Sequence, residues 1–349
     1  MKILLTASMA LASIIVTSLM IVSSYGNGKD KVVKKKKVYF DLDGNCDDFV
    51  AFLLTLNFPN VELVGISITP SDCEIPPAKE FVSKLIYKKG LKVPIVVSNV
   101  SPVNDFPQEW KSLTLKTNYL PTLLKIEYSK ENELEIDASE HMYSTLKKIF
   151  DESKERTTLL MTGPPSTLTK AMKNHPDIKD YIEEIFWMGG AIDVDGNVKG
   201  VKYSEYNAYW DPIATKEFIE SDLPIKVISL DSTNSVPLNK EMLTNLAKYS
   251  HFDGINLTNE LFAIAYWVLE DGGSAYYAWD CLAAMALGFD DLITFKEAEV
   301  EVITTKGEEE GRIVKKEGTK HFIKYGQKLD EKSLEYFNNA FINTLKYNF

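Results

Sequence analysis

Arginine is nearly missing from this sequence. Of 39 basic residues, all but Arg156 and Arg312 are lysines, which argues against a site built to clamp phosphate bidentately. Positive charge is short overall: the formal net charge is -11, and a general nucleic-acid grip through a basic surface is excluded. Histidine occurs only as His141, His175, His251 and His321, none inside a motif-like segment, so histidine acid/base chemistry has no sequence support. The three cysteines, Cys46, Cys73 and Cys281, are odd in number, far apart and beside acidic residues. They predict buried free thiols, not a disulfide framework. No apolar stretch beyond residue 22 is long enough to span a bilayer. Past Lys37 there is no internal repeat, low-complexity tract or Pro/Ser-rich linker. What is present, 349 residues at 45% hydrophobic and 26% charged, suffices for one large buried core and excludes a disordered or collagen-like chain.

The N-terminus is a separate object. Lys2 precedes the apolar run Ile3 to Val22, and Ser23-Ser24-Tyr25-Gly26 offers a small-residue exit. Residues 1–26 are expected to be a signal peptide, with an uncleaved membrane anchor as the alternative. Residues 27–37, with Lys29, Lys31 and Lys34 to Lys37, form a Lys-rich linker, and 38–349 one folded domain. The expected location is secreted or extracytoplasmic. Asn99-Val100-Ser101 and Asn256-Leu257-Thr258 match the weak glycosylation sequon.

Along the domain, strand-like β-branched runs alternate with helical patterns. Strands are expected at Val38–Asp41, Val61–Thr69, Val93–Ser98, Thr157–Thr162, Glu184–Met188 and Pro224–Leu230. Helices are expected over Asp47–Leu56 and Glu80–Tyr87, after Pro165 and Pro212, and from near Trp279. Such alternation predicts an α/β fold, a Rossmann-like open and mostly parallel sheet covered by helices on both faces. Glu297–Thr304 and Gly311–Lys316 predict a small antiparallel extension. In such sheets ligands bind beyond the carboxyl ends of the strands.

The sharpest feature lies at one such end. Val38-Tyr39-Phe40-Asp41-Leu42-Asp43-Gly44-Asn45-Cys46-Asp47-Asp48 places four carboxylates within about a turn of a buried strand. Gly44 allows a sharp turn, and Asp47 and Asp48 open the next helix. One aspartate could cap that helix; four after an apolar strand need more. Crowded together they repel and hold raised pKa values unless a cation joins them, and an all-oxygen set implies Ca²⁺ or Mg²⁺. Further polar groups follow other expected strands: Ser71-Asp72-Cys73, Thr162-Gly163-Pro164-Pro165, Gly189-Gly190, Asn197, Glu205-Tyr206-Asn207 and Asp231-Ser232-Thr233-Asn234. Singly these are turns and caps; together on one rim they are what a binding site requires.

From about Val38 onward the chain resembles the inosine-uridine preferring nucleoside hydrolases, most closely their purine-specific branch. Asp41 to Asp48 resembles the family's N-terminal Asp signature, in a Gly-Asn form where Pro-Gly is commoner. Thr162-Gly163-Pro164 resembles its metal loop, with Pro165 where Leu is usual. Trp187-Met188-Gly189-Gly190, Glu205-Tyr206-Asn207 and Asp211-Pro212 match further blocks, and Tyr276-Tyr277-Ala278-Trp279-Asp280 carries Trp279 where nonspecific members carry His. The resemblance implies Ca²⁺ held by Asp43, Asp48, the Thr162 carbonyl and Asp280. It further implies ribose contacts from Asp47, Asn207, Asn197, Glu205 and Met188, and a supporting role for Asp41. The implied reaction is hydrolysis of the N-glycosidic bond of purine ribonucleosides to ribose and free base. A metal-bound water is activated there by Asp43, and the purine is stacked between Trp110 and Trp279. Asp72 is a candidate base contact and proton donor, and Tyr276 and Tyr277 are lid candidates. Trp187, Trp210 and Trp267 are expected in the core. The implied partners are a small-molecule purine nucleoside, no nucleic acid, and further copies of the chain as a dimer or tetramer.

Two other readings compete. Phe40-Asp41-Leu42-Asp43-Gly44 also resembles the first motif of haloacid-dehalogenase-like phosphatases, with Asp41 as nucleophile and Mg²⁺ as metal. Asn45 departs from that motif, Asp47-Asp48 follow too soon, and no ordered downstream lysine and acidic motif is found. The other is a secreted nucleoside-binding protein without turnover; all the matched acidic residues are present, so loss of activity has no sequence support.

Overall fold

A computed structural model describes residues 34–270 and 276–349, the side chains of 267–270 apart. The leader, most of the Lys-rich linker and the Trp267 side chain lie outside the described residues. Residues Lys35–Phe349 form one compact unit. Among the described residues, no helix is long and apolar enough to cross a membrane.

The first half runs β1 (Lys36–Leu42), α1 (Cys46–Thr55), β2 (Val61–Ile68), α2 (Ile75–Lys88) and β3 (Ile95–Val97). After a loop with short helical turns come β4 (Glu133–Asp137), α3 (Ala138–Ser153), β5 (Thr157–Met161), α4 (Ser166–Asn174) and β6 (Ile182–Met188). The second half comprises α5 (Tyr206–Trp210), α6 (Pro212–Ile219), β7 (Ile225–Ile228), α7 (Asp253–Glu270) and α8 (Trp279–Gly288). It closes with β8 (Phe295–Val302), β9 (Ile313–Lys315), β10 (Phe322–Gly326) and α9 (Glu331–Leu345). These strands form one 10-stranded sheet in the order β4-β3-β2-β1-β5-β6-β7-β10-β8-β9. Neighbours are parallel from β4 through β10, and only β10–β8 and β8–β9 are antiparallel. This is the expected Rossmann-like α/β sheet with its antiparallel extension.

Central strands are buried on both sides, which explains their unbroken apolar character: every β5 residue is buried, as are the last five of β1. Lys36 and Lys37, expected in the linker, begin β1 and pair with Val61 and Glu62 of β2. All of α1 is buried, an apolar helix enclosed by α7, α8 and α9. On it Phe49 stacks on Phe81 of α2, centroids 3.8 Å apart. Strand order reverses at β1/β5, so the loops after β1 and β5 diverge there and leave a crevice.

The helix expected from Glu80 begins earlier, at Ile75, because Pro76 and Pro77 occupy its first turn, where no N–H is required. The β4–α3 unit and β10 were not anticipated. Only Ile95 and Val97 of β3 pair with β4 at the sheet edge, where Leu134 and Ile136 stay exposed; β10 is a short strand inserted between β7 and β8. Trp187 and Trp210 are fully buried, as expected, and all three cysteines are buried and unpaired.

Phe49→Ala should cost about 3–5 kcal/mol, read as a lower urea midpoint at unchanged slope.

Candidate active site

Gly44 turns the chain out of β1 at a φ of +80°, and a β-carbon there would meet Cys73 and Ala78 at 3.1–3.3 Å. Asn45 then caps α1, its side chain accepting from Cys46 N at 2.8 Å. Asp48 returns the bond in a capping box, its Oδ2 accepting from Asn45 N at 2.9 Å. The other carboxylate oxygen accepts from the Thr162 hydroxyl at 2.6 Å and from Asp43 N at 3.2 Å. Asp48 is therefore both a helix cap and a member of the acidic cluster. Asp43, two residues beyond Asp41, accepts from Ser71 at 2.8 Å.

Asp43, Asp48 and Asp280 each bring one carboxylate oxygen within 4.8 Å of the others, and all are buried. Asp280 comes from the first turn of α8. Among the described residues none of the three is salt-bridged to a basic side chain. Burial, then repulsion from Asp48 and Asp72, pushes the Asp43 carboxyl well above the usual carboxylate range. Burial with Asp47, Asp48 and Asp43 does the same to Asp280. Three hard-oxygen donors this close and uncompensated fit a divalent cation such as Ca²⁺ or Mg²⁺. The Thr162 carbonyl, expected as a fourth donor, lies on the loop after β5, whose backbone is tied to β1 by Thr162 N donating to Asp41 O at 2.9 Å.

Asp41 itself faces away from the cleft. Its Oδ1 accepts from Ser67 at 2.6 Å and Thr69 at 3.3 Å, consistent with a supporting residue, and burial raises its pKa from 3.8 to about 7. Asp47 accepts from the Tyr276 hydroxyl at 2.5 Å; burial and Asp48 raise it to about 7.

On the opposite wall, Asn207 Nδ2 donates to Thr162 O at 3.0 Å and to Met188 O at 3.1 Å. These bonds fix the amide's orientation and leave its buried Oδ1 without a partner. An orphaned acceptor in a cleft wall is costly unless a ligand donates to it. Glu205 caps α5: Oε1 accepts from Asn207 N, and Oε2 from Gly190 N at 2.8 Å and Ala208 N. Its carboxylate is largely engaged in holding Asn207 and the glycine turn, and burial raises its pKa to about 7. Asn197 Oδ1 accepts from Tyr206 N, which leaves its amide nitrogen as donor.

These groups line one cleft at the carboxyl ends of the strands. Asp43, Asp47, Asp48, Asp72, Trp110, Thr162, Met188, Asn197, Glu205, Asn207, Tyr276, Trp279 and Asp280 all contribute to its walls. So do Asn45, Phe106, Leu113 and Tyr206, which the sequence reading did not single out as contacts. Phe106 and Tyr206 join Trp110 in an aromatic cluster, with Trp110 and Tyr206 ring centroids 4.5 Å apart. Only the aromatic content around Trp110 and Asn207 hinted at them. Tyr276, expected as a lid contact, lines the cleft, is 6% exposed and donates to Asp47; Tyr277, the other, is not among the lining residues. No histidine lines it either; His141 is instead buried against the Tyr39 hydroxyl.

The sequence model of the inosine-uridine preferring nucleoside hydrolases matches residues 38–336. The chain belongs to this family. Its members hydrolyse the N-glycosidic bond of nucleosides, and the phosphatase resemblance, resting on Phe40 to Gly44 alone, gives way to a match over nearly all of the domain. An inosine-uridine preferring nucleoside hydrolase from Bacillus anthracis is 31% identical, with a TM-score of 0.79 over 89% of this chain and 99% of that one. A purine-preferring ribonucleoside hydrolase from Gardnerella vaginalis shares the fold at 21% identity, TM-score 0.72, with the same coverage of 89% and 99%. A probable uridine nucleosidase of Oryza sativa subsp. japonica is 23% identical over 279 residues, 79% of this chain and 84% of that protein.

The raised carboxyls set a stability signature. Asp41 and Asp47 bind protons more tightly folded, at about 7, than unfolded, near 3.8. The native state then holds the extra protons, and stability falls as pH rises through that interval. Metal-free protein should therefore melt at lower temperature at pH 7.5 than at pH 5, and excess calcium should abolish or reverse that slope in scanning calorimetry. Gly163 packs so that an added β-carbon would lie 2.8 Å from Asp43 Cβ. Gly163→Ala should displace Asp43 and cut turnover about 100-fold, while circular dichroism stays that of the folded protein.

Proposed function

We propose that the protein is a Ca²⁺-dependent purine nucleosidase, releasing ribose and the free base from purine ribonucleosides. The observation that carries this reading is the pairing, in one cleft, of the Asp43–Asp48–Asp280 cluster with the indoles of Trp110 and Trp279. The names borne by relatives point both ways, to purine and to uridine, so the choice rests on this aromatic wall.

Calcium, when bound, supplies positive charge that acidifies water and anchors the ribose diol. Asp43 takes the proton of the attacking water: it belongs to the cluster, and Ser71 donates to one of its oxygens and fixes the carboxylate. Asp47, oriented by Tyr276, and the free Oδ1 of Asn207 accept hydrogen bonds from the ribose hydroxyls. Met188 packs beneath the sugar, and Asn197 and Glu205 line the side where its 5′-hydroxyl would sit. Held this way, C1′ is presented to the water as oxocarbenium character develops.

The leaving purine is a poor anion and needs a proton. With no histidine in the cleft, stacking on Trp110 and Trp279 binds the base, worth about 1–3 kcal/mol per aromatic contact. It also makes the ring nitrogens easier to protonate. Asp72, its carboxyl raised by burial and by Asp47 and Asp48 and its Oδ1 unpartnered, is placed to donate.

Reducing-sugar release should be rapid from inosine and slow from uridine, and should stop with a chelator and return with calcium. Asp43→Ala should lower kcat by several orders of magnitude. Trp279→Ala should harm inosine turnover far more than ribose binding. Equal cleavage of inosine and uridine would overturn the stacking claim, and chelator-resistant turnover the calcium claim.

A further inference from the structure

Asn45 does more than cap a helix. It is 2% exposed, and its Oδ1 is taken by the cap bond to Cys46 N. That bond fixes the amide's orientation and turns Nδ2 to the other side, where it donates to Asp72 O at 3.1 Å and to Trp110 O at 3.2 Å. These carbonyls lie 27 and 65 residues away, on two different loops, and both loops carry side chains of the base-side wall. The backbone N–H of the same residue binds Asp48 of the acidic cluster. One residue thus joins the cation end of the cleft, through its backbone N–H, to both base-side loops, through its side chain.

The base-side loops need such a tie. Trp110 sits on a four-residue helical turn, Gln108–Lys111, with no buried residue of its own. Its ring rests on Phe106 and Tyr206, so its height above the cleft is set by where the turn's backbone is held. The Pro-Gly form of the N-terminal signature puts glycine at this position, with no side chain to make either bond.

We propose that Asn45 is a positioning residue for the base subsite, holding Trp110 and Asp72 in register with the Asp43–Asp48–Asp280 cluster. This rests on the reading above that Trp110 stacks on the leaving base. Asn45 touches no reacting atom; it acts through the two backbones it bonds.

The test compares inosine with p-nitrophenyl riboside, which shares the ribose but whose leaving group needs neither purine stacking nor a proton. Asn45→Ser keeps a capping oxygen but loses the amide, and Asn45→Gly is the second variant because glycine is also tolerated at an N-cap. The ratio of kcat/KM for inosine to that for the riboside should fall about 10- to 100-fold in both variants, with calcium affinity by calorimetry and the melting temperature preserved. An unchanged ratio, or equal losses on both substrates together with weaker calcium binding, would show Asn45 to be a cap only and overturn the inference. Trp110→Ala separates the two levels. If it leaves the ratio unchanged, the stacking reading itself fails; if it lowers the ratio and the Asn45 variants do not, only the role of Asn45 falls.

Discussion

The constraint on which this structure depends is the mutual repulsion of carboxylates buried side by side. Asp43, Asp48 and Asp280 are all less than 5% exposed and share a space a few ångströms across, where each negative charge opposes the next and burial strips away much of its solvation. Hydroxyls and backbone N–H groups relieve part of this: Ser71 at Asp43, Thr162 and the α1 capping box at Asp48. None of them supplies positive charge. A divalent cation does, and it turns an electrostatic liability into a grip on any ligand that brings further oxygens.

The fold exists around that point as a way of bringing distant segments together. Strand order reverses between β1 and β5, so the Asp43–Asp48 loop and the Thr162–Gly163 loop emerge side by side. The α8 helix packs against α1 and brings Asp280 to them. Glu205, buried as the cap of α5, sets Asn207 across from the cluster. Backbone spacing is set tightly here: Gly163 approaches Asp43, and Gly189 lies against the Trp187 ring, whose Nε1 donates to Gly163 O at 3.0 Å. In the function proposed above, the strand-end loops of the α/β sheet would hold the ribose, and Trp110 and Trp279 would hold the base.

Much of this was legible in the sequence because it follows local rules. The buried strands are apolar runs, the acid cluster stands at the end of one of them, and the glycines mark turns. Cleft residues such as Asp72, Asn207 and Asp280 were identifiable because each sits in a polar block after a strand or before a helix. What escaped was long-range. Phe106 and Tyr206 look like ordinary aromatics until the fold stacks them 5.1 Å apart beside Trp110. Nothing local shows that the Tyr276 hydroxyl reaches Asp47, 229 residues away in the chain. The β4 edge strand gives only a weak signal: Leu134 and Ile136 alternate with acidic residues as a strand requires, but the run is five residues long and its apolar side chains stay exposed instead of marking a core.

The most direct test of the central claim is a crystal structure grown with excess calcium and a ribose-mimicking inhibitor, with the cation located by its anomalous signal. The account predicts one ion, at about 2.3–2.6 Å from oxygens of Asp43, Asp48, Asp280 and the Thr162 carbonyl, with the inhibitor's vicinal hydroxyls completing its shell. An inhibitor bound in the cleft with no ion beside these carboxylates, or an ion held by other residues, would contradict it.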